Sequence, residues 1–397
     1  MLHAAWPLQR SLLTLTFGRH LTGNANRKVA TFYHKELIII EAKSKKERRP
    51  ISKEGDTLRF GEMFCDHMLD VDWSADKGWG KPCIRPYENL SLDPSCKVFH
   101  YASGLFEGMK AYRGVDDRIR LFRPELNMLR MRKTAVRAAL PDFDGDELLE
   151  CIKEMVRLDQ SWVPRENGAS LYIRPTLIGT DPRLGLSSSR VAKLFVITSP
   201  VGPYFTTYSP IALLANPQYI RAAKGGVGGF KMGSNYAPTV YVSEKAIEKG
   251  CHQVLWLSGP EHYVTEAGAM NTFLYWKNEE GDEELITPTL ESGLILPGVT
   301  RQSILELSQE IGGFKVTERD FTVAEVKTAL NENRVHEFFA SGTAAVITPI
   351  GRVLYINEEK EETLRFPAMD HDKSLMQRLF KSLDDIYYGR ASRSKWT

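Results

Sequence analysis

With 397 residues, the chain is long enough for two or three domains around a large buried core. Its 52 Lys and Arg against 50 Asp and Glu leave a net charge of +2, too little basic field for nucleic acid to be the main partner. A hydrophobic fraction of 42%, with no apolar run near the roughly 18 residues of a membrane span, predicts a soluble globular protein.

In chain order, residues 1–35 hold Arg10, Arg19, Arg27, Lys28 and Lys35 and no acidic residue before Glu36. That composition predicts a mitochondrial transit peptide, the alternative being a cytosolic extension. Residues 36–200 read as a smaller α/β unit. Leu37–Ile40 reads as a strand or core segment, and Lys43 to Arg49 as a solvated basic linker. A helix opens at Pro124 and runs to Val136, proline being suited to its first turn. A second helix spans Asp146 to Trp162, with apolar residues at 148, 149, 152, 155 and 156 on one face.

The Pro/Gly/Tyr-rich stretch from Ser199 to Pro210 marks an interdomain linker at 201–210. Residues 211–397 form a larger, strand-rich α+β unit. Hairpins are expected at Val254–Leu257 with Tyr263–Glu266, and at Phe273–Trp276 with Leu285–Thr287. Thr322 and Glu325 have capping-box spacing before a helix to Leu330. The alternation is not that of a doubly wound parallel sheet.

Cys65, Cys83, Cys96, Cys151 and Cys251 form no Cys-x-x-Cys and read as reduced thiols. The nine histidines show no ligand spacing, so no metal site is expected; His67, His100 and His252 read as structural.

Chemistry concentrates in Gly225 to Tyr236, where a glycine-rich run leads to Lys231 and then to a helix ending near Gly250. A nucleotide-binding P-loop fails there, because Phe230 precedes the lysine and Met232 follows it. A solvated surface loop remains the plain alternative. A lysine in a partly desolvated pocket has a depressed pKa and a lone pair free for a carbonyl. The Gly298-Val299-Thr300 turn opens a helix N-terminus suited to phosphate, and Ser341 to Ala345 is a second cluster of small residues and hydroxyls. Glu266 ends a strand before three small residues. An amine, a carboxylate and a phosphate cradle are what pyridoxal phosphate requires.

From about residue 50 onward the chain resembles the branched-chain amino acid aminotransferases, fold-type IV pyridoxal phosphate enzymes, and among them the mitochondrial-type animal members. The resemblance is carried by Leu105 to Ala111 (LFEGMKA), Tyr172 to Pro175, Gly225 to Tyr236, Leu296 to Val299 and Ser341 to Ala344. It implies a smaller α/β domain and a larger β-rich pseudo-barrel domain with the cofactor between them. Lys231 would be the Schiff-base lysine. Tyr236 would bond the phenolic oxygen, Glu266 the ring nitrogen, and Arg130, Val299, Thr300 and Thr343 the phosphate. Phe60, Tyr101, Phe106, Tyr172, Tyr204 and Ala269 would wall the substrate pocket. Backbone near Ala269 and Ala344, with Tyr101 and Arg174, would orient the substrate carboxylate.

The implied activity moves an amino group from leucine, isoleucine or valine to 2-oxoglutarate, in a homodimer of the mitochondrial matrix or the cytoplasm. Rivals are a D-amino acid aminotransferase or an aminodeoxychorismate lyase, and, outside enzymes, a binding protein on the same scaffold. Three departures from the family stand out: Ala269 stands for threonine, Thr272 for an aliphatic residue, and Ala345 with Thr348 for a Cys-x-x-Cys.

Overall fold

The computed structural model describes residues 30–43, 58–202, 209–358, 360–368, 374–393 and 395–397. Tyr204, residues 1–29, the basic run beyond Lys43 and most of the expected linker lie outside the described residues.

The first sheet contains β1 (Ile38–Ile39), β2 (His67–Ser74), β3 (Gly78–Trp79), β4 (Cys83–Pro86), β5 (Gly104–Phe106), β6 (Met109–Arg113), β7 (Ile119–Leu121), β8 (Ser170–Gly179) and β9 (Val191–Val201). Their order is β1–β4–β2–β9–β8–β6–β7, with β3 on β2 and β5 on β8. Only the β1–β4 edge is parallel. Alternation sets the faces: in β9, Ala192, Leu194 and Val196 are buried while Val191, Lys193 and Phe195 are partly exposed. Ile38, Ile39 and Ile40 are exposed on the edge and do not belong to the core.

Helices α1 (Lys97–Tyr101), α2 (Pro124–Arg137) and α3 (Gly145–Leu158) accompany this sheet. Pro124 opens α2 as expected, and Asp144 caps α3 through the Asp146 N–H. The helix expected to continue to Trp162 stops at Leu158, and a separate 3₁₀ turn covers Gln160–Trp162. The break frees Asp159, whose carboxylate receives the His67 N–H at 3.1 Å and meets His67 Nδ1 at 2.6 Å.

The fold begins before the expected boundary at residue 35. Phe32 is 2% exposed and meets Trp79 and Phe143 at ring-centroid distances of 5.3 and 6.3 Å. Thr31 Oγ1 accepts from the Asp144 N–H, and the His34 N–H donates to Glu147. Phe32→Ala is therefore expected to cost about 3 kcal/mol, the scale of a truncated core aromatic. Denaturant unfolding checks this, and a midpoint unchanged from wild type would show that residues 30–35 are dispensable.

The second sheet contains β10 (Ile211–Ala215), β11 (Gln253–Ser258), β12 (Tyr263–Ala267), β13 (Met270–Lys277), β14 (Glu283–Thr287), β15 (Lys315–Glu318), β16 (Val335–Gly342), β17 (Val346–Asn357) and β18 (Lys360–Arg365). The path β12–β11–β10–β17–β16–β13 closes on itself through a β12–β13 pairing, making a barrel that β14 and β15 extend. Both expected hairpins are present, β11–β12 and β13–β14. Helices α4 (Thr239–Glu248), α5 (Val299–Ile311), α6 (Val323–Asn331) and α7 (Leu375–Tyr387) belong to this half. Thr322 and Glu325 form the full capping box of α6.

Candidate active site

The glycine-rich segment is clamped between the two halves. Its Lys231 N–H donates to Thr134 Oγ1 of α2 at 3.2 Å, and its Lys231 carbonyl accepts from the Phe106 N–H of β5 at 3.2 Å. Asn235 Nδ2 donates to the carbonyls of Val227 and Phe230 at 2.7 and 2.8 Å, tying the loop to the 3₁₀ turn Gly233–Asn235. Gly228 is required by close approach, since a Cβ there would lie 2.6 Å from the Leu294 carbonyl oxygen. These contacts replace the surface-loop alternative. Helix α4 starts at Thr239, two residues after Ala237, where the sequence pattern places its beginning.

Lys231 Nζ lies 3.2 Å from Tyr236 Oη and 4.6 Å from the Phe106 ring centroid. Burial lowers its pKa, Arg130 adds to the effect, and the ammonium falls from 10.5 to about 7. Burial likewise pushes the Tyr236 phenol up, with Glu266 contributing.

Glu266 is the penultimate residue of β12 and is 3% exposed. Its Oε1 accepts from the Leu296 N–H at 2.9 Å and from Asn271 Nδ2 at 3.1 Å, while Oε2 pairs with Arg221 at 2.6 Å. Burial raises its pKa, and Arg221 opposes the rise. Arg221 carries no local signal; it is a lone arginine in a loop, and only the fold brings it to Glu266.

Arg130, on α2, is held in a fork by Glu107, with Nε–Oε1 at 2.7 Å and Nη2–Oε2 at 2.8 Å. Its Nη1 donates to the Pro297 carbonyl, 167 residues further along the chain, at 2.9 Å. Glu107 is fully buried. Burial would raise its pKa, but Arg130 outweighs this and leaves the carboxyl below its ordinary value. Glu107 stands in the Leu105–Ala111 motif, yet nothing in the motif reveals its partner.

A phosphate fits the next feature. Gly298 caps α5 without a side-chain bond, leaving the first N–H groups of the helix beside the cavity that Val299 and Thr300 line. A Cβ at Gly298 would come within 2.2 Å of Asn271 Oδ1, so the backbone cradle admits only glycine. Arg174 and Arg221 each keep a buried Nε with no partner among the described residues.

Phe106, Arg130, Tyr172, Arg174, Lys231, Tyr236, Glu266, Ala269, Val299, Thr300, Thr343 and Ala344 all line one cavity of about 740 Å³ between the sheet and the barrel. Phe60 and Tyr101 do not line it. Phe60 stands behind the wall, edge-on to Tyr172 at 4.8 Å. Tyr101 is 39% exposed and donates to the Leu184 carbonyl, beside the exposed Leu184 and Leu186. Gly108 makes room for Tyr172, whose Oη would be 2.1 Å from a Cβ there. Arg174 Nη2 donates to that hydroxyl at 3.0 Å. At the departures, Thr272 Oγ1 donates to the Thr265 carbonyl, and the cavity carries a thiol at Cys251, not at 345 or 348.

A family model described as amino-transferase class IV matches residues 104–353. The chain is 52% identical over 370 residues to the cytosolic branched-chain-amino-acid aminotransferase of Caenorhabditis elegans, covering 92% of this chain and 89% of that one. It is 51% identical over 337 residues to the mitochondrial branched-chain-amino-acid aminotransferase of Rattus norvegicus, covering 84% of each. Among solved structures, the Escherichia coli branched-chain amino acid aminotransferase superposes with a TM-score of 0.62 at 22% identity, over 82% of this chain and 97% of that one.

Proposed function

The chain belongs to the class IV aminotransferases, and from that membership we propose that it is a pyridoxal phosphate-dependent branched-chain-amino-acid aminotransferase. It moves the amino group of L-leucine, L-isoleucine or L-valine to 2-oxoglutarate, reversibly. The observation that carries this reading is the Lys231 amine, 3.2 Å from Tyr236 Oη in the cavity that buried Glu266 and the uncapped α5 N-terminus share, where burial lowers its pKa.

Glu266 would hold the cofactor's ring nitrogen, Tyr236 its phenolic oxygen, and Arg130, Val299, Thr300 and Thr343 its phosphate. When bound, pyridoxal phosphate supplies a carbonyl that takes up the amino group and a ring that spreads the charge left on Cα. Lys231 Nζ takes the proton from the substrate Cα, which its depressed pKa permits at neutral pH. Arg130 cannot swing away, because Glu107 and the Pro297 carbonyl hold all three of its nitrogens. Arg174 and backbone near Ala344 meet the substrate carboxylate. Phe106, Tyr172 and Ala269 receive the aliphatic side chain, whose burial contributes about 2–3 kcal/mol.

With 2-oxoglutarate as acceptor, the purified protein is expected to consume L-leucine and leave D-alanine untouched, glutamate formation being the readout. Turnover of D-alanine in place of L-leucine would favour a D-amino acid aminotransferase. Pyruvate released from aminodeoxychorismate would favour the lyase.

Two finer points belong to the same reading. The protein is a homodimer, supported by the exposed Leu184 and Leu186 beside Tyr101. It resides in the mitochondrial matrix, supported by the acid-free, arginine-bearing composition before Glu36. Relatives of both cytosolic and mitochondrial kinds exist. Residues 1–35 fused to a fluorescent reporter are expected to direct it to mitochondria, and diffuse cytosolic fluorescence would place the protein in the cytoplasm.

A further inference from the structure

Lys110, on β6 of the first sheet, crosses to the barrel, where its Nζ donates to the Ala344 carbonyl at 2.9 Å. The side chain is 5% exposed. Burial, with no neighbouring charge contributing, lowers its ammonium to about 8. A buried cation without a counter-charge is costly, and a methionine would fill the same space without that cost.

The acceptor lies on the turn that joins β16 and β17. Gly342, Thr343, Ala344 and Ala345 all line the cavity, whereas Lys110 does not. Directly after the turn, Val346 has φ +60°, a left-handed conformation that a β-branched residue keeps only where its surroundings impose it. Part of that constraint is local: Gly342 pairs with Val346 at the hairpin end, and a Cβ on Gly342 would come within 3.2 Å of Met270 Cγ. Lys110 adds a constraint from the other sheet, 234 residues away in the chain.

We propose that Lys110 is a positioning residue for the substrate carboxylate. By gripping the Ala344 carbonyl it fixes the Gly342–Ala345 turn at the cavity wall. It also polarises the Ala344–Ala345 peptide, making the Ala345 N–H a stronger donor to an anion. The inference rests on the reading that an amino acid binds in this cavity with its carboxylate at this turn.

The test uses holoenzyme and 4-methylpentanoic acid, which is leucine without its amino group. Its binding is measured by titration calorimetry for wild type, Lys110→Met and Lys110→Gln, with L-leucine transamination in parallel. Lys110→Met is expected to weaken the acid and raise the leucine KM by about tenfold, with kcat changed by less than about threefold, the effect of one charge-assisted bond. Lys110→Gln, a neutral donor, is expected to recover part of both; it carries the test alone if the methionine variant does not fold. Variant binding within about twofold of wild type, or a fall in kcat with KM unchanged, would overturn the role of Lys110. Wild-type protein that neither binds the acid nor turns over leucine would overturn the functional reading, and this inference with it.

Discussion

Lys231→Ala is expected to abolish transamination, by at least about 10⁴-fold, the upper end of what one positioned proton-transfer group contributes. The fold is expected to survive, because the loop is held by groups other than this side chain. The Lys231 N–H and carbonyl bind Thr134 and Phe106, and Asn235 ties Val227 and Phe230. Borohydride reduction of the holoenzyme followed by peptide mapping is expected to find the cofactor on Lys231, and a label on another lysine would refute the assignment.

The same lysine makes a pH prediction. Its folded-state pKa is depressed from 10.5 to about 7, first by burial and then by Arg130, so the neutral nucleophilic amine predominates above about 7 and is lost below it. Capture of pyridoxal phosphate by the apoenzyme, followed by absorbance, is expected to slow about tenfold per pH unit below 7 and to level off above it. A rate still climbing beyond pH 9 would mean that the amine is not desolvated.

Glu266→Gln is expected to lower kcat by about 10² to 10³-fold, the scale of one preorganised electrostatic contact, while changing cofactor affinity far less. A neutral amide cannot keep the ring nitrogen protonated, yet the phosphate contacts of Arg130, α5 and Thr343 remain. The structure adds a third expectation. Arg221 pairs with Oε2 at 2.6 Å, and the Leu296 N–H binds Oε1, so the amide NH₂ must face one donor or the other. Leaving that buried guanidinium without its anion is expected to cost about 3 kcal/mol of stability. Kinetics, cofactor dissociation and thermal unfolding of one variant check all three expectations. Turnover near that of wild type would show that Glu266 does not serve the reaction.

What the sequence revealed is local. Lys231 stands in a run cleared of side chains, Gly298 opens a helix, and Thr322 with Glu325 announces a capping box. The two hairpins alternate around turn residues. Each of these signals is complete within a few positions, because helix caps, turns and strand alternation depend on neighbouring backbone dihedrals and on short hydrogen bonds. The strand-end reading had offered Glu266, the family resemblance added Arg130, Tyr236 and Thr343 as candidates, and all four line the cavity with Lys231.

What the tertiary structure alone decided is which polar group answers which. Glu107 holds Arg130, Arg221 holds Glu266, and Lys110 holds the Ala344 carbonyl, none with a spacing that a motif could show. Phe32 entered the core although the composition around it reads as a leader, and Phe60 and Tyr101 stayed outside the cavity wall. The physical reason is the topology of the barrel and its neighbour. Sheet order departs from chain order, with β10 seated between β11 and β17, so a buried ion finds its partner on whatever strand closure places beside it. Burial then makes that partner necessary, since an unpaired charge in low dielectric is costly, and sequence distance has no part in that energy.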